Sequence, residues 1–418
     1  MGELSNRRFK LVEKMKPHSA ALIFSGVSKV SSEDEFHPFQ VNNNFYYLTG
    51  IEQEHSVLLI VKGFSCVKTY LFIDEYSELK EKWTGKRLTN DEARALSDIE
   101  NVYVYNQLDS VLSMVFSDKD NNDYGNIAYC YLDLSPEIKI GDELSTKEYA
   151  KSFREANRRI EIVDVYPLIR DLRMIKSDFE IECISNAIEA TSYGITETIR
   201  NFKEGVLEYE LAEVFRHFGM MHGRRKLSFS TIIAAGKNAT CLHYPTQTSK
   251  VRTKDMILFD LGYKEHGYSA DISRTYPVNG VFAGIHKSIY EAVLNCNKAV
   301  IEYARTGMTI ADLQAFATET LKSECIRLKL MDKDDDIRKY YYHNVSHHLG
   351  LDTHDVSVRE RPLENGNVIT VEPGLYFANF GIGVRIEDDI VFKDGKAVNL
   401  SKSIAKEIKD VERLFKTR

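Results

Sequence analysis

The feature that most constrains this 418-residue chain is where it puts its acids. The apolar run Met256–Phe259 ends directly in Asp260, and Asp271 opens the next apolar run after a polar turn with two glycines. Glu372 follows Val368–Val371, and Pro373 and Gly374 then force a turn. Glu387 lies among Val384, Ile386, Ile390 and Val391. A carboxylate at the end of a buried strand is costly unless a partner holds its charge. One such Asp is explained by a cap or a turn. Four acids in apolar strands ask for cations, and two divalent ions, bringing +4, balance Asp260, Asp271, Glu372 and Glu387.

The segment 343–355 supplies a nitrogen donor. His343, His347, His348 and His354 fall within it, in a chain with only 12 histidines. Imidazole ligates divalent metals and moves protons near neutral pH. The His343/His347 spacing superficially matches HExxH, but Asn344 stands where that motif needs Glu, so a zincin reading fails. A bridged ion pair can deprotonate water, orient a carbonyl and stabilise an oxyanion. Oxygen-rich ligation favours harder ions such as Mn²⁺ over Zn²⁺. Spacing alone leaves caps, turns and ordinary polar histidines as the alternative.

The length suits two domains. In the first ~165 residues, candidate strands at 20–25, 56–61, 68–73, 101–105, 126–134 and 159–165 alternate with helical patterns at 6–16, 90–96 and 146–156. That alternation predicts a mixed α/β layer domain over 1–168. A boundary is expected near 166–175, with a second, α+β domain over 169–418. Ser177 and Glu180 form a capping-box pattern ahead of Ile181, Ile184, Ala187 and Ile188 at helical spacing. A helix at 209–221, a strand-and-turn region at 228–243 and strands at 256–261 and 272–277 follow. Helices at 285–305 and 310–328 and strands at 368–371, 375–377 and 384–392 repeat that order, which suggests a pseudo-symmetric pair of halves. The acidic run Asp332–Asp336 lacks the Gly and distal Glu of an EF-hand and reads as a solvated turn.

Composition excludes several classes. The net charge is −7 with basic and acidic residues interspersed, so nucleic acid is not an expected partner. The longest aliphatic run, Val57–Val61, is far short of a membrane span. The first residues show no apolar stretch of a secretory signal, and Asn6 breaks the myristoylation pattern. Six cysteines without CxxC spacing read as reduced thiols in a cytoplasmic protein.

The segments YSADISRTYPVNG, HNVSHHLGLDTHDV, TVEPGLY and GVRIEDDI carry Asp271, His347, Glu372 and Glu387, with Asp260 just ahead. In that order they resemble the metal ligands of the pita-bread metallopeptidases, which include methionine aminopeptidase, aminopeptidase P and prolidase. The aminopeptidase P group is the best match. RRFKLVEKMKPHSAALIFSG, NNNFYYLTGIEQEHSVLLI and EKWTGKRL extend the likeness into the first domain, which resembles the creatinase/prolidase N-domain.

The resemblance implies that Asp260, Asp271 and bridging Glu387 hold one ion, and that Asp271, His347, Glu372 and Glu387 hold the other. It implies a metal-activated hydroxide as nucleophile and Glu372 as the group handling its proton. His243, His343 and His354 would line the pocket and contact substrate, with His243 and His354 assisting proton transfer. Arg385 would order the site by ion pairing, and Tyr376 would reach the pocket. The implied activity releases the N-terminal residue from peptides with proline second, using two divalent ions, Mn²⁺ first, with Co²⁺ or Zn²⁺ as alternatives. The implied assembly is a homodimer or homotetramer, with the N-terminal domain serving oligomerisation and capping the substrate site. A prolidase confined to dipeptides and a non-hydrolytic peptide-binding relative are the competing readings. The single tryptophan, Trp83, reads either as a buried anchor or, by the resemblance, as part of a loop near a neighbouring subunit's site.

Overall fold

A computed structural model describes residues 2–117, 124–135, 138–140, 144–224 and 226–416. It divides into two compact units, Met1–Arg173 and Met174–Arg418. The helix Tyr166–Met174 runs through the segment where the sequence suggests a boundary.

The first unit is built on six strands: β1 (Ser19–Phe24), β2 (Val57–Lys62), β3 (Val67–Ile73), β4 (Asn101–Val104), β5 (Tyr129–Leu132) and β6 (Glu161–Asp164). Their order is β4-β3-β2-β1-β5-β6. β1 runs antiparallel to β2 and parallel to β5, so the sheet is mixed. β1 is buried along its whole length, as a central strand covered on both faces should be. Alternate residues Ala20, Leu22, Phe24, Val57, Leu59 and Val61 pack with Leu112, Val115 and Phe153 into one core cluster. Each fully buried side chain of this size contributes roughly 1.5–3 kcal/mol, so this unit has a hydrophobic core of its own. The helices Asn43–Thr49, Glu78–Thr84, Leu108–Val115 and Tyr166–Met174 have no counterpart in the sequence pattern. Trp83 sits on the helix Glu78–Thr84 at 81% exposure, which rules out the buried-anchor reading.

The second unit opens with the helix Asp178–Arg200, started by the Ser177/Glu180 capping box, followed by the helix Glu208–Met221. The strands β7 (Ile232–Ala235), β8 (Met256–Leu261) and β9 (Ile272–Pro277) then form an antiparallel sheet in the order β9-β8-β7. A second helix pair, Gly284–Tyr303 and Ile310–Arg327, precedes β10 (Val368–Val371), β11 (Gly374–Phe377), β12 (Ile382–Arg385), β13 (Asp388–Lys393) and β14 (Lys396–Asn399). These form an antiparallel sheet β10-β13-β14 and the hairpin β11-β12. Two successive helix–helix–strand sets therefore make up the unit. The strand expected over 384–392 is two strands, broken at Ile386 and Glu387. Gly383 explains one close approach: a Cβ there would lie 1.9 Å from the Ala239 carbonyl oxygen, so only glycine lets β12 lie against the 236–240 turn. All six cysteines are free, and the Asp332–Asp336 run is a turn. Among the described residues no helix is long and apolar enough to cross a membrane.

Candidate metal centre

The site lies wholly within the second unit, and strand alternation places its acids. Asp260 pairs across the ladder with Ser273, and Asp271 precedes Ser273 by two residues. All three therefore face the same side of the sheet. Glu372 directly follows β10, and Glu387 directly precedes β13. The β10–β13 ladder ends at Val371 opposite Asp388, and the β11–β12 ladder begins at Gly374 opposite Arg385. The two glutamates thus stand where one ladder hands over to the other. His347 arrives on an irregular segment tied along β10. The Thr370 amide donates to the His347 carbonyl (2.9 Å), and the Glu372 amide donates to the Val345 carbonyl (2.8 Å).

Asp271, His347 and Glu387 each offer one ligand atom, all within 4.8 Å of one another. His347 Nδ1 lies 3.0 Å from the His348 carbonyl oxygen, which turns Nε2 toward Asp271 Oδ2 (3.4 Å) and Glu372 Oε1 (3.7 Å). Asp260 meets a different cation: its Oδ2 is 2.5 Å from Arg385 Nη2. Ser273 Oγ lies 2.8 Å from Glu387 Oε2 and 3.2 Å from Asp260 Oδ1, and Arg385 Nε donates to it (2.7 Å).

The charges of this cluster are out of balance. Burial lifts the Glu372 carboxyl to about 7 against the pull of His347 and Arg385. Burial, then repulsion from Asp271 and Glu372, drives Glu387 well above the carboxylate range, and burial also raises Asp271. Burial opposes charge on His347, yet its hydrogen bond to Asp271 and the charges of Asp271 and Glu372 lift it to about 9. Acids crowded at this depth, with one imidazole nitrogen aimed among them, fit divalent cations.

The remaining expected residues ring the cluster. Tyr376 is buried, and its hydroxyl accepts from Arg385 Nη1 (3.1 Å) and meets His343 Nε2 (2.8 Å). His343 Nδ1 faces the Asn344 carbonyl oxygen (2.8 Å), and burial with the Arg385 charge holds this imidazole neutral, its pKa down to about 3. A hydrogen-bonded chain thus runs from Asp260 through Arg385 and Tyr376 to His343. The His354 ring lies 4.2 Å from that of His347, and burial lowers its pKa. His243 is exposed, and its charge is felt at both His343 and His354.

The layer that supports these residues is not marked in the sequence. Ser273 is the exception, because it is two residues past Asp271 on the same strand face. Asp389 accepts from the Asp271 amide (3.1 Å), and nothing local in its sequence marks it. Buried Arg274, Asn297 and Asp388 join half-buried Lys406 in a network drawn from distant parts of the chain, and no local pattern links them.

Known proteins share both units. The sequence profile of metallopeptidase family M24 matches residues 182–394, and that of the aminopeptidase P N-terminal domain matches residues 4–123. The chain is 32% identical to the Xaa-Pro aminopeptidase of Escherichia coli, covering 99% of this chain and 97% of that one. Its structure is similar to that of an aminopeptidase P candidate from Bacillus anthracis, with a TM-score of 0.94, 38% identity and coverage of 99% and 98%. It is likewise similar to Escherichia coli aminopeptidase P, with a TM-score of 0.90, 30% identity and coverage of 99% and 98%. The buried acid cluster at the junction of two strand ladders, on a chain of this organisation, belongs to metallopeptidase family M24, and the protein is a metallo-aminopeptidase of that family.

Proposed function

We propose that this chain releases the N-terminal residue from peptides whose second residue is proline. In this reading two divalent ions, Mn²⁺ first among them, are held by Asp260, Asp271, His347, Glu372 and Glu387. The observation that carries it is the convergence of Asp271, His347 and Glu387 within 4.8 Å, with Glu372 beside them and Asp260 on the same sheet face. Bound divalent ions supply Lewis acidity and lower the pKa of water.

The chain's own residues do the rest. Glu372, beside the His347 imidazole at the edge of the cluster, is placed to take a proton from water and return it to the leaving amine. His343, held neutral, offers a hydrogen-bonding edge to the peptide, with Tyr376 and Arg385 fixing its orientation. His354 and His243, both exposed, stand on the open side of the site, where substrate contact and proton transfer would occur. A homodimer or homotetramer in the cytoplasm, with the first unit serving assembly and closure over substrate, completes the reading. The prolidase alternative is not favoured, because the full-length relative carries the Xaa-Pro aminopeptidase name.

The test is a peptide panel with added Mn²⁺, Co²⁺ or Zn²⁺. Longer Xaa-Pro peptides should be cleaved at the first bond; cleavage of the Xaa-Pro dipeptide alone would overturn the assignment. Glu372→Gln and Glu387→Gln should each lower activity by more than about 100-fold, beyond what loss of an outer-shell contact does. Activity within a few-fold of wild type would refute the ligand roles.

A further inference from the structure

Asn297 lies in the middle of the helix Gly284–Tyr303 and is 0% exposed. A polar amide buried mid-helix is costly unless all its groups are bonded. Its Nδ2 donates to two carbonyl oxygens, that of Val371 (3.0 Å) and that of Ile386 (3.2 Å). These residues directly precede Glu372 and Glu387. A peptide unit is planar, so holding a carbonyl oxygen also fixes the next residue's Cα. One side-chain amide therefore sets the spacing between the two glutamate backbones.

The amide is held in this orientation from behind. Lys406 Nζ donates to Asn297 Oδ1 (2.6 Å), and a lysine can only donate, so the NH₂ must face the carbonyls. Lys406 also pairs with Asp388, and Tyr290, two turns earlier on the same helix face, donates to the Lys406 carbonyl (2.7 Å). Asp388 accepts from Arg274 Nη2 (2.8 Å), and Arg274 Nη1 donates to the Glu387 carbonyl (2.5 Å). The peptide carbonyls on both sides of Glu387 are thus gripped, one by Asn297 and one by Arg274.

We propose that Asn297, oriented by Lys406, is a positioning residue that sets the separation of Glu372 and Glu387 for metal binding. The proposal rests on the ligand assignment above. It makes the segment around Lys406, beyond the last strand, a part of the site's architecture.

The experiment measures Mn²⁺ affinity of chelator-stripped full-length protein by calorimetry, with thermal unfolding in parallel. Asn297→Asp keeps the shape and the Lys406 partner but removes the donors facing both carbonyls. It should weaken Mn²⁺ binding roughly 10–100-fold, the usual effect of losing an outer-shell contact, and Asn297→Ala should do the same. Lys406→Met should weaken binding in the same direction, and Lys406→Arg should restore most of it. Leu313→Ala, a buried change on the neighbouring helix Ile310–Arg327, controls for destabilisation alone and should leave affinity within about two-fold, since no outer-shell contact is lost. Equal weakening by Leu313→Ala at matched melting temperature, or wild-type affinity in both Asn297 variants, overturns the positioning role. The ligand reading fails separately: in that case Glu387→Gln would bind Mn²⁺ as wild type does, and the positioning role would fall with it.

Discussion

Burial lifts Glu372 to about 7 and raises Asp271 and Glu387, while Asp271 and Glu372 lift His347 to about 9. A metal ligand must give up its proton, so these shifts set a pH dependence for metal binding. Below pH 7 Glu372 is mostly protonated in stripped protein and competes with the ion. Between 7 and 9 His347 is still largely protonated. Affinity should therefore rise with pH across the whole range from about 6 to 9. Binding at pH 7.5 should release on the order of one proton or more per subunit. Calorimetry in two buffers of different ionisation enthalpy measures this directly. Heats that do not depend on the buffer would show that the ligands are already deprotonated, and the argument from crowded acids would fail.

Single elements show the same tension away from the site, and Asp133, which follows β5, is the clearest case. It is fully buried, and its Oδ2 accepts from Asn42 Nδ2 (3.0 Å) and Asn44 Nδ2 (2.9 Å). Oδ1 has no hydrogen-bond partner among the described residues. Burial pushes its carboxyl from 3.8 up to about 6 despite those two hydrogen bonds. The folded pKa lies above the unfolded one, so folding takes up a proton between these values. The cost, roughly 3 kcal/mol at 1.36 per pH unit, is present in full above pH 6 and fades as pH falls toward 4. Asp133→Asn keeps an acceptor for both asparagines and removes the charge. It should raise the melting temperature of the first unit at pH 8 and leave it nearly unchanged at pH 4, as differential scanning calorimetry can show. A destabilised variant at pH 8 would mean that the charge is favoured after all, with Arg173 as its partner.

At this scale the sequence is most readable where the period is strong. β8 and β9 match the strands expected over 256–261 and 272–277, and the Ser177 cap marks a helix start. The helix Asn43–Thr49 escaped because five of its seven residues are buried, leaving no polar face to set a period. The strand break at Ile386 and Glu387 stayed hidden because Val384 and Ile386 before the acids and Ile390 and Val391 after them read as one apolar strand.

For the whole molecule, the four proposed carboxylate ligands stand out because each is an acid beside an apolar run, while His347 is singled out from four histidines only by the family resemblance. The network behind them does not stand out, because it is assembled from β9, a helix, β13 and the segment near Lys406, and only folding brings these together. That division predicts how the chain responds to losing metal. Every proposed ligand lies in the second unit, while the first carries its own core of β1 to β6. An ion at 100 times its dissociation constant stabilises the state it binds by about 2.7 kcal/mol. In a domain of this size that is worth roughly 5–10 °C in melting temperature. Chelation should lower the transition of the second unit by that order and leave the first in place. Hydrogen exchange followed by mass spectrometry resolves the two. Peptides covering 256–277 and 368–393 should lose protection in chelator and regain it with Mn²⁺, while those covering 19–24 and 57–73 stay protected throughout. Equal loss in the first unit would show that the two units unfold as one, and that the metal centre stabilises the entire chain.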